Sequence, residues 1–283
     1  MNMSSPEGLV GREVELALAA AAVRDLSEGR ASALVIEGEA GIGKTRLVEC
    51  IVDDARSRGV AVYGGQAHPF ERSRPFGVVA AALSLSRRSP ETRRAAIGEL
   101  LGGRGPGAPA LAAGDIQYRV VEEIVDLVES TCSESPMLLV AEDIHWADSA
   151  SLLTILSVAR QLPLAALLVV VTARSSPQPA QLERLLADLA ASGARTLQLQ
   201  PLSSDEVAAL ARDVLGASPG PALTAMLGKT SGNPLWAVAM VRSLADEGLL
   251  RRTEDIIDVT TSEAIFARTP NGTSVSSIIL TSI

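Results

Sequence analysis

An α/β fold is expected for this chain: a three-layer arrangement around a mainly parallel five-stranded sheet, followed by a small all-helical subdomain. Three observations point there. Short apolar runs alternate with segments of helical periodicity as far as Pro201. Those runs are continuously apolar rather than alternating, as in strands buried on both faces. After Pro201 only helical periodicity remains. The chain has 283 residues, 47% of them hydrophobic and 20% charged, which is enough to bury a sizeable core and excludes wholesale disorder.

Taken in order, residues 33–37 form the first strand. Residues 44–58 read as a helix, because Leu47, Val48, Ile51, Val52 and Ala55 recur at helical spacing. Gly59 ends it, and 60–63 is the second strand. Residues 101–113 make a Gly/Pro/Ala linker, read as a surface loop. Residues 130–135 are polar and loop-like, and Pro136 opens the third strand, 137–141. Asp148 is placed to cap a helix over 149–160. The fourth strand is 167–172, the next helix 179–191 and the fifth strand 196–200. Helices are then expected at 203–215, 219–227 and 234–250, with Ser203 and Glu206 at capping-box spacing. This divides the chain into a core (1–200), a helical subdomain (201–250) and a Thr- and Ser-rich tail (251–283).

Charge and composition narrow the function. A net charge of −8 makes a general nucleic-acid surface unexpected, while a local basic patch stays open. No apolar run approaches the ~20 residues of a membrane helix, and no basic-then-apolar segment opens the chain, so neither membrane nor secretory signal is expected. Two cysteines, Cys50 and Cys132, make no disulfide framework and fit a reducing cytoplasm. Only two of the 25 basic residues are lysines, Lys44 and Lys229, so each invites a reason why a compact ammonium was kept.

Lys44 has such a reason. Gly38-Glu39-Ala40-Gly41-Ile42-Gly43-Lys44-Thr45 matches G-x-x-x-x-G-K-[ST] in full, between an expected strand and an expected helix. The glycines let main-chain N–H groups turn onto phosphate oxygens, and the helix start adds partial positive charge. Lys44 is expected at the β and γ phosphates and Thr45 on Mg²⁺. Arg46, immediately after the loop, is counted with the nucleotide-binding residues. Gly228-Lys229-Thr230 looks similar but has Leu223 where the first glycine belongs and no strand before it, so it is rejected.

The second component is an acidic pair, Glu142-Asp143, at the end of the third strand. Two adjacent carboxylates at a buried strand end are costly unless a cation receives them. The bland alternative is a solvated corner; the complete loop upstream favours the catalytic reading. One carboxylate is expected to orient metal-bound water and the other to polarise the attacking water; register favours Glu142 for the metal and Asp143 for the water, with the reverse assignment left open. His145 and Trp146 read as packing residues rather than chemical ones, since no second histidine or cysteine stands at ligand spacing. The pairs Arg87-Arg88 and Arg93-Arg94 read as a solvated helix surface.

From Glu142 to Ser149 the chain runs E-D-I-H-W-A-D-S, which resembles the acidic-pair-x-His-Trp-Ala-Asp signature of bacterial STAND-type P-loop ATPases, relatives of AAA and origin-recognition-like ATPases often found in large LuxR-type transcriptional regulators. Leu9-Val10-Gly11-Arg12-Glu13 resembles that family's opening motif, residues 169–174 its fourth strand with a sensor arginine, and Gly232-Asn233-Pro234 its G-x-P motif. The resemblance covers residues 8–250. It implies an ATP- or ADP-binding, Mg²⁺-dependent switch, with Val10, Gly11 and Pro234 beside the adenine and Arg174 reading the γ phosphate. It also implies ATP lodged between core and helical subdomain, and an output through self-association or an attached effector or partner protein. The Glu-then-Asp order departs from the Asp-first order of many relatives and suggests slow turnover. The rival reading is a nucleotide-binding structural module that never turns over; a DNA-loading ATPase is weaker on this acidic chain. Residues 274–280 resemble the opening of a winged-helix domain, as though the chain were part of a longer regulator.

Overall fold

The computed structural model describes residues 9–102, 113–161, 164–175 and 179–260. These residues form two compact units, one from 13–40 and 44–199, the other from 9–12, 41–43 and 200–260.

The first unit contains α1 (Glu13–Ser27), β1 (Ser32–Glu37), α2 (Lys44–Ser57), β2 (Ala61–Gln66), α3 (Gly77–Ala82), α4 (Thr92–Leu101), α5 (Ala113–Glu134), β3 (Met137–Glu142), α6 (Ser149–Gln161), β4 (Leu167–Ala173), α7 (Ala180–Ala191) and β5 (Arg195–Gln198). The five strands pair in the order β2-β3-β4-β1-β5, all parallel. This is the expected fold class. Every residue of β4 and the first five of β3 are buried; because successive side chains point to opposite faces, both faces of the sheet are covered. Side chains such as Leu138, Leu168 and Val170 are fully hidden, each contributing about 1.5–3 kcal/mol of burial. The edge strands β2 and β5 are mostly half-buried or exposed. A parallel sheet gathers the loops after β1, β3 and β4 at one edge, where ligands sit in such folds.

Asp148 organises that edge. Its carboxylate accepts from Ser151 N at 2.9 Å, as expected of the cap of α6. It also accepts from Phe76 N (2.9 Å), Gly77 N (3.0 Å) and Ser151 Oγ (2.6 Å), so one buried acid ties the start of α3 to the start of α6.

Two expectations are corrected here. The polar stretch 130–135 is not a loop: its first five residues belong to the last turns of α5. The hydroxyls of Ser130 and Thr131 donate back to Leu127 O, and that of Ser133 to Glu129 O, so their polarity is satisfied inside the helix. Nor is Arg94 solvated. Its side chain, 12% exposed, pairs with Glu91, donates to Leu83 O (2.8 Å) and Tyr63 Oη (3.1 Å), and stacks on the Tyr63 ring at 4.8 Å. It pins α4 against β2. Most of the expected linker, 103–112, lies outside the described residues, as does 274–280.

The second unit contains α8 (Ser204–Leu215), β6 (Ser218–Pro219), α9 (Pro221–Leu227), α10 (Pro234–Asp246), β7 (Leu250–Thr253) and β8 (Ile256–Val259). It is not all-helical, as the sequence had suggested: the three strands form a small sheet in the order β6-β8-β7. The physical reasons are local. Gly248 at φ +67° ends α10 before residue 250, and Glu254 at φ +54° turns β7 back on β8. The strands are short and largely exposed, so they carry little apolar pattern. Asp258 on β8 accepts from Leu223 N (2.8 Å) and Ala222 N (3.3 Å), supplying a cap that Gly220 cannot give α9. Leu223, Leu227, Val241, Leu244 and Ile257 form the core of this unit. Gly228–Thr230 is a 3-10 turn directly following α9, which agrees with its rejection as a phosphate loop. Among the described residues no helix is long and apolar enough to cross a membrane.

Candidate functional site

The loop 38–45 leaves the end of β1 and runs into the start of α2. In the first unit, Lys44 is 8% exposed and its Nζ donates to Gly38 O and Glu39 O, both at 2.9 Å. An ammonium carries three donors, so two neutral carbonyls leave it with capacity for an anion. Burial lowers the Lys44 pKa, and the Asp143 carboxylate opposes that shift. The charge is therefore held close to an acid, in a place that would otherwise repel it.

The middle of the loop belongs to the second unit. Gly41 O accepts from Leu235 N at 3.2 Å. Ile42 O accepts from the buried Arg12 at 3.3 Å, and Arg12 also donates to Gln200 O at 2.6 Å. Gly41 sits at φ +75°, and a Cβ there would stand 2.8 Å from Leu235 Cβ and 2.9 Å from Asn233 Oδ1. Gly43, at φ +108°, has open space around that position. Val10 and Gly11 are half-buried and lead into Arg12. Pro234 is the first residue of α10, behind Asn233, whose Oδ1 caps Leu235 N at 3.1 Å and Trp236 N at 3.4 Å.

Glu142 closes β3. Its Oε2 is buried with no hydrogen-bond partner. Burial raises its pKa, with the nearby Thr45 hydroxyl acting in the opposite sense. A buried carboxylate oxygen lacking a donor beside a hydroxyl suits a hard divalent cation. Among the described residues no cluster of three or more His, Cys, Asp or Glu could form a closed metal cage. A hydroxyl and one carboxylate such as Thr45 and Glu142 could serve Mg²⁺, which takes one or two protein ligands and completes its shell with phosphate and water.

Asp143 adopts a left-handed conformation, φ 53° and ψ 40°, uncommon for a residue with a side chain. Two residues that sequence reasoning passed over hold it there. Its N–H donates to Thr172 Oγ1 at 2.8 Å, and its Oδ2 accepts from Gln66 Nε2 at 2.9 Å. Gln66 ends β2, and Thr172 is the buried polar residue near the end of β4. The available signal was a polar side chain at the end of a strand facing the same edge. His145 Nδ1 lies 3.9 Å from Asp143 Oδ1. Burial lowers the histidine's pKa, and the Asp143 carboxylate opposes that shift.

Trp146 follows in a 3-10 turn, Ile144–Trp146, with its ring 5.0 Å from that of His145. Two guanidinium groups lie over the indole, Arg72 at 4.8 Å and Arg174 at 5.7 Å from the centroid. Arg72 is anchored through a 2.7 Å bond to His145 O. The charge of Arg174 lowers the pKa of both Lys44 and His145, which places it in the field of the loop.

The first unit thus gathers Gly38, Lys44, Thr45, Glu142, Asp143 and Arg174 at one edge of the sheet, with Ala40 on the same loop. The second unit gathers Val10, Gly11, Gly41, Ile42, Gly43 and Pro234. Arg46 is placed differently from the others: its guanidinium is paired with Glu49 at 2.8 Å along α2, and both side chains are about half exposed to solvent.

Residues 8–171 match the family described as the AAA ATPase domain. The chain belongs to that family. Membership accounts for the loop and the acidic strand end, and it implies nucleotide binding. Among solved structures, this AAA ATPase domain resembles Cdc6p from Pyrobaculum aerophilum, with a TM-score of 0.59 and 15% identity over 87% of this chain and 65% of that one. It also resembles the ORC2 protein of Aeropyrum pernix in ADPNP–ADP complexes, with a TM-score of 0.60 and 14% identity over 98% and 73%. At these identities the likeness is one of fold. An uncharacterized protein, R02095, of Rhizobium meliloti (strain 1021) is 26% identical over 221 residues. That match takes in 70% of this chain but only 21% of the relative, so the chain spans about a fifth of its length.

Proposed function

We propose that this AAA ATPase domain is an ATP-binding, Mg²⁺-dependent switch of the STAND type, acting in the cytoplasm as one module of a transcriptional regulator. The observation that carries the reading is the orphaned Glu142 oxygen beside Thr45, next to a complete phosphate loop. In this reading, main-chain N–H groups of residues 38–45 and the Lys44 ammonium bind the phosphates, Thr45 and Glu142 hold Mg²⁺, and Val10, Gly11 and Pro234 flank the adenine. Mg²⁺, when bound, offsets phosphate charge. Asp143 orients the attacking water and accepts its proton, and Arg174 contacts the γ phosphate. The loop supports a switching role because its residues are divided between the two compact units. Loss of the γ phosphate changes what the loop and Arg174 hold, and that difference is what biases conformation. The output is self-association or action on an attached effector; the net charge of −8 disfavours direct nucleic-acid contact by this chain.

One observation favours a second reading, a module that holds ADP or ATP without turnover. Gln66 already occupies the Asp143 carboxylate. Phosphate release separates the two. A switch ATPase shows slow release that Asp143→Asn lowers by about 10²-fold or more, the usual worth of a positioned base. A static module gives equal background rates for wild type and Asp143→Asn.

A further inference from the structure

The sequence suggests a packing role for His145, but packing alone does not explain its ring. The residue is 7% exposed, and neither Nδ1 nor Nε2 has a hydrogen-bond partner among the described residues. An imidazole carries at least one N–H, and a buried donor with no acceptor is costly where a phenyl ring would bear no such penalty. We propose that His145 is a positioning residue for Asp143: a proton on Nδ1 holds the Asp143 Oδ1 in the orientation that the attacking water meets. The inference rests on the reading of Asp143 as the water-orienting acid and names the group that aims it.

Asp143 is already held at two points. Its N–H donates to Thr172 Oγ1, and its Oδ2 accepts from Gln66 Nε2. What those bonds leave least defined is Oδ1, and that is the oxygen His145 faces, with Nδ1 at 3.9 Å. Closing the gap to a hydrogen bond takes less than about 1 Å, and the bonds of a catalytic group often tighten only once substrate is seated. The position of the proton follows from what surrounds the ring. On Nε2 alone it would be a buried donor with no acceptor among the described residues, and Nδ1 would turn a lone pair on a carboxylate. Among the charges around the ring, the Asp143 carboxylate favours a proton there, while Arg174, Lys44 and Arg72 disfavour it. The backbone that carries the ring is fixed, since His145 lies in the 3-10 turn Ile144–Trp146 and its O accepts from Arg72 Nη2 at 2.7 Å. The Asp143 side chain keeps 28% exposure, so a water can reach the carboxylate that His145 backs.

The test uses the whole chain with ATP and Mg²⁺ and compares two substitutions that packing and positioning rank in opposite order. His145→Phe keeps a ring and removes both nitrogens; His145→Asn loses the ring but keeps an amide N–H where Nδ1 stood. Positioning predicts that His145→Phe lowers kcat for phosphate release by about tenfold or more at unchanged ATP affinity, and that His145→Asn restores most of the loss. A packing role predicts the reverse, with His145→Phe close to wild type and His145→Asn the poorer enzyme. A second measurement leaves His145 in place. The chain has two histidines, so His68→Gln, which changes an exposed loop residue, leaves one imidazole to be read by its ring nitrogen resonances. Those resonances are expected to show Nδ1 protonated and to move in Asp143→Asn. An unprotonated Nδ1, resonances indifferent to Asp143→Asn, or a His145→Phe variant that turns over like wild type overturns the inference. If wild type and Asp143→Asn release phosphate at one background rate, it is the turnover reading beneath it that fails.

Discussion

At residue 41 a single methyl group separates a working loop from a strained one. Gly41→Ala would place a Cβ 2.8 Å from Leu235 Cβ at φ +75°, where a side chain costs about 1–2 kcal/mol before any clash is counted. Relieving the contact must move the loop or the first turn of α10, which share the Leu235 N to Gly41 O bond. ATP affinity measured by calorimetry should fall by about tenfold. Gly43→Ala meets open space and should cost only the backbone term. The sequence marked both glycines for phosphate approach, and for Gly41 that was half the reason. The other half, close packing against Leu235 and Asn233, joins residues far apart in the chain, and no local pattern reveals it. Gln66 and Thr172 were missed for the same cause: each is an ordinary polar residue at a strand end until the parallel register sets it beside Asp143. The positions of Lys44 and Thr45 at the start of α2 and of Glu142 and Asp143 at the end of β3 were legible, because a loop motif and an acidic pair closing an apolar run are local patterns.

Elements were readable where apolar periodicity was strong and misread where polar side chains looked inward on their own helix. The central strands β1, β3 and β4 announced themselves as continuous apolar runs. The end of α5 did not, since Ser130, Thr131 and Ser133 satisfy their hydroxyls on carbonyls one turn back. The strands β7 and β8 were hidden by exposure, being held by ladder bonds more than by buried side chains. The capping box of α8 was both expected and found, with Ser203 N donating to Glu206 Oε2 at 2.6 Å and Glu206 N donating to Ser203 Oγ at 3.3 Å. Those bonds lower the Glu206 pKa. A lowered folded-state value means the stabilisation is present above the ordinary carboxylate pKa of about 4.3 and lost as pH falls through the depressed value. Thermal melts of wild type and Glu206→Gln should therefore differ at neutral pH by about 0.3–1 kcal/mol, the worth of an acid at a helix start, and converge in acid. A gap that is constant with pH would show that the charge contributes nothing.

On the scale of the whole molecule, the loop draws residues from both compact units, and membership of the AAA ATPase domain family implies nucleotide binding. A ligand that binds only the folded chain stabilises it by mass action, by about 2.7 kcal/mol at a hundredfold excess over its Kd. That gain requires a competent loop, and Lys44 is the part of it that can be removed with least disturbance, because its two partners are main-chain carbonyls that solvent can satisfy. Calorimetric titration of ATP, with and without Mg²⁺, into wild type and Lys44→Ala reads this most directly. Wild type is expected to bind ATP, more tightly with Mg²⁺, and Lys44→Ala to lose most of the affinity while keeping its fold by circular dichroism. A folded Lys44→Ala variant that binds ATP as tightly as wild type would contradict the phosphate cradle on which everything else here is built.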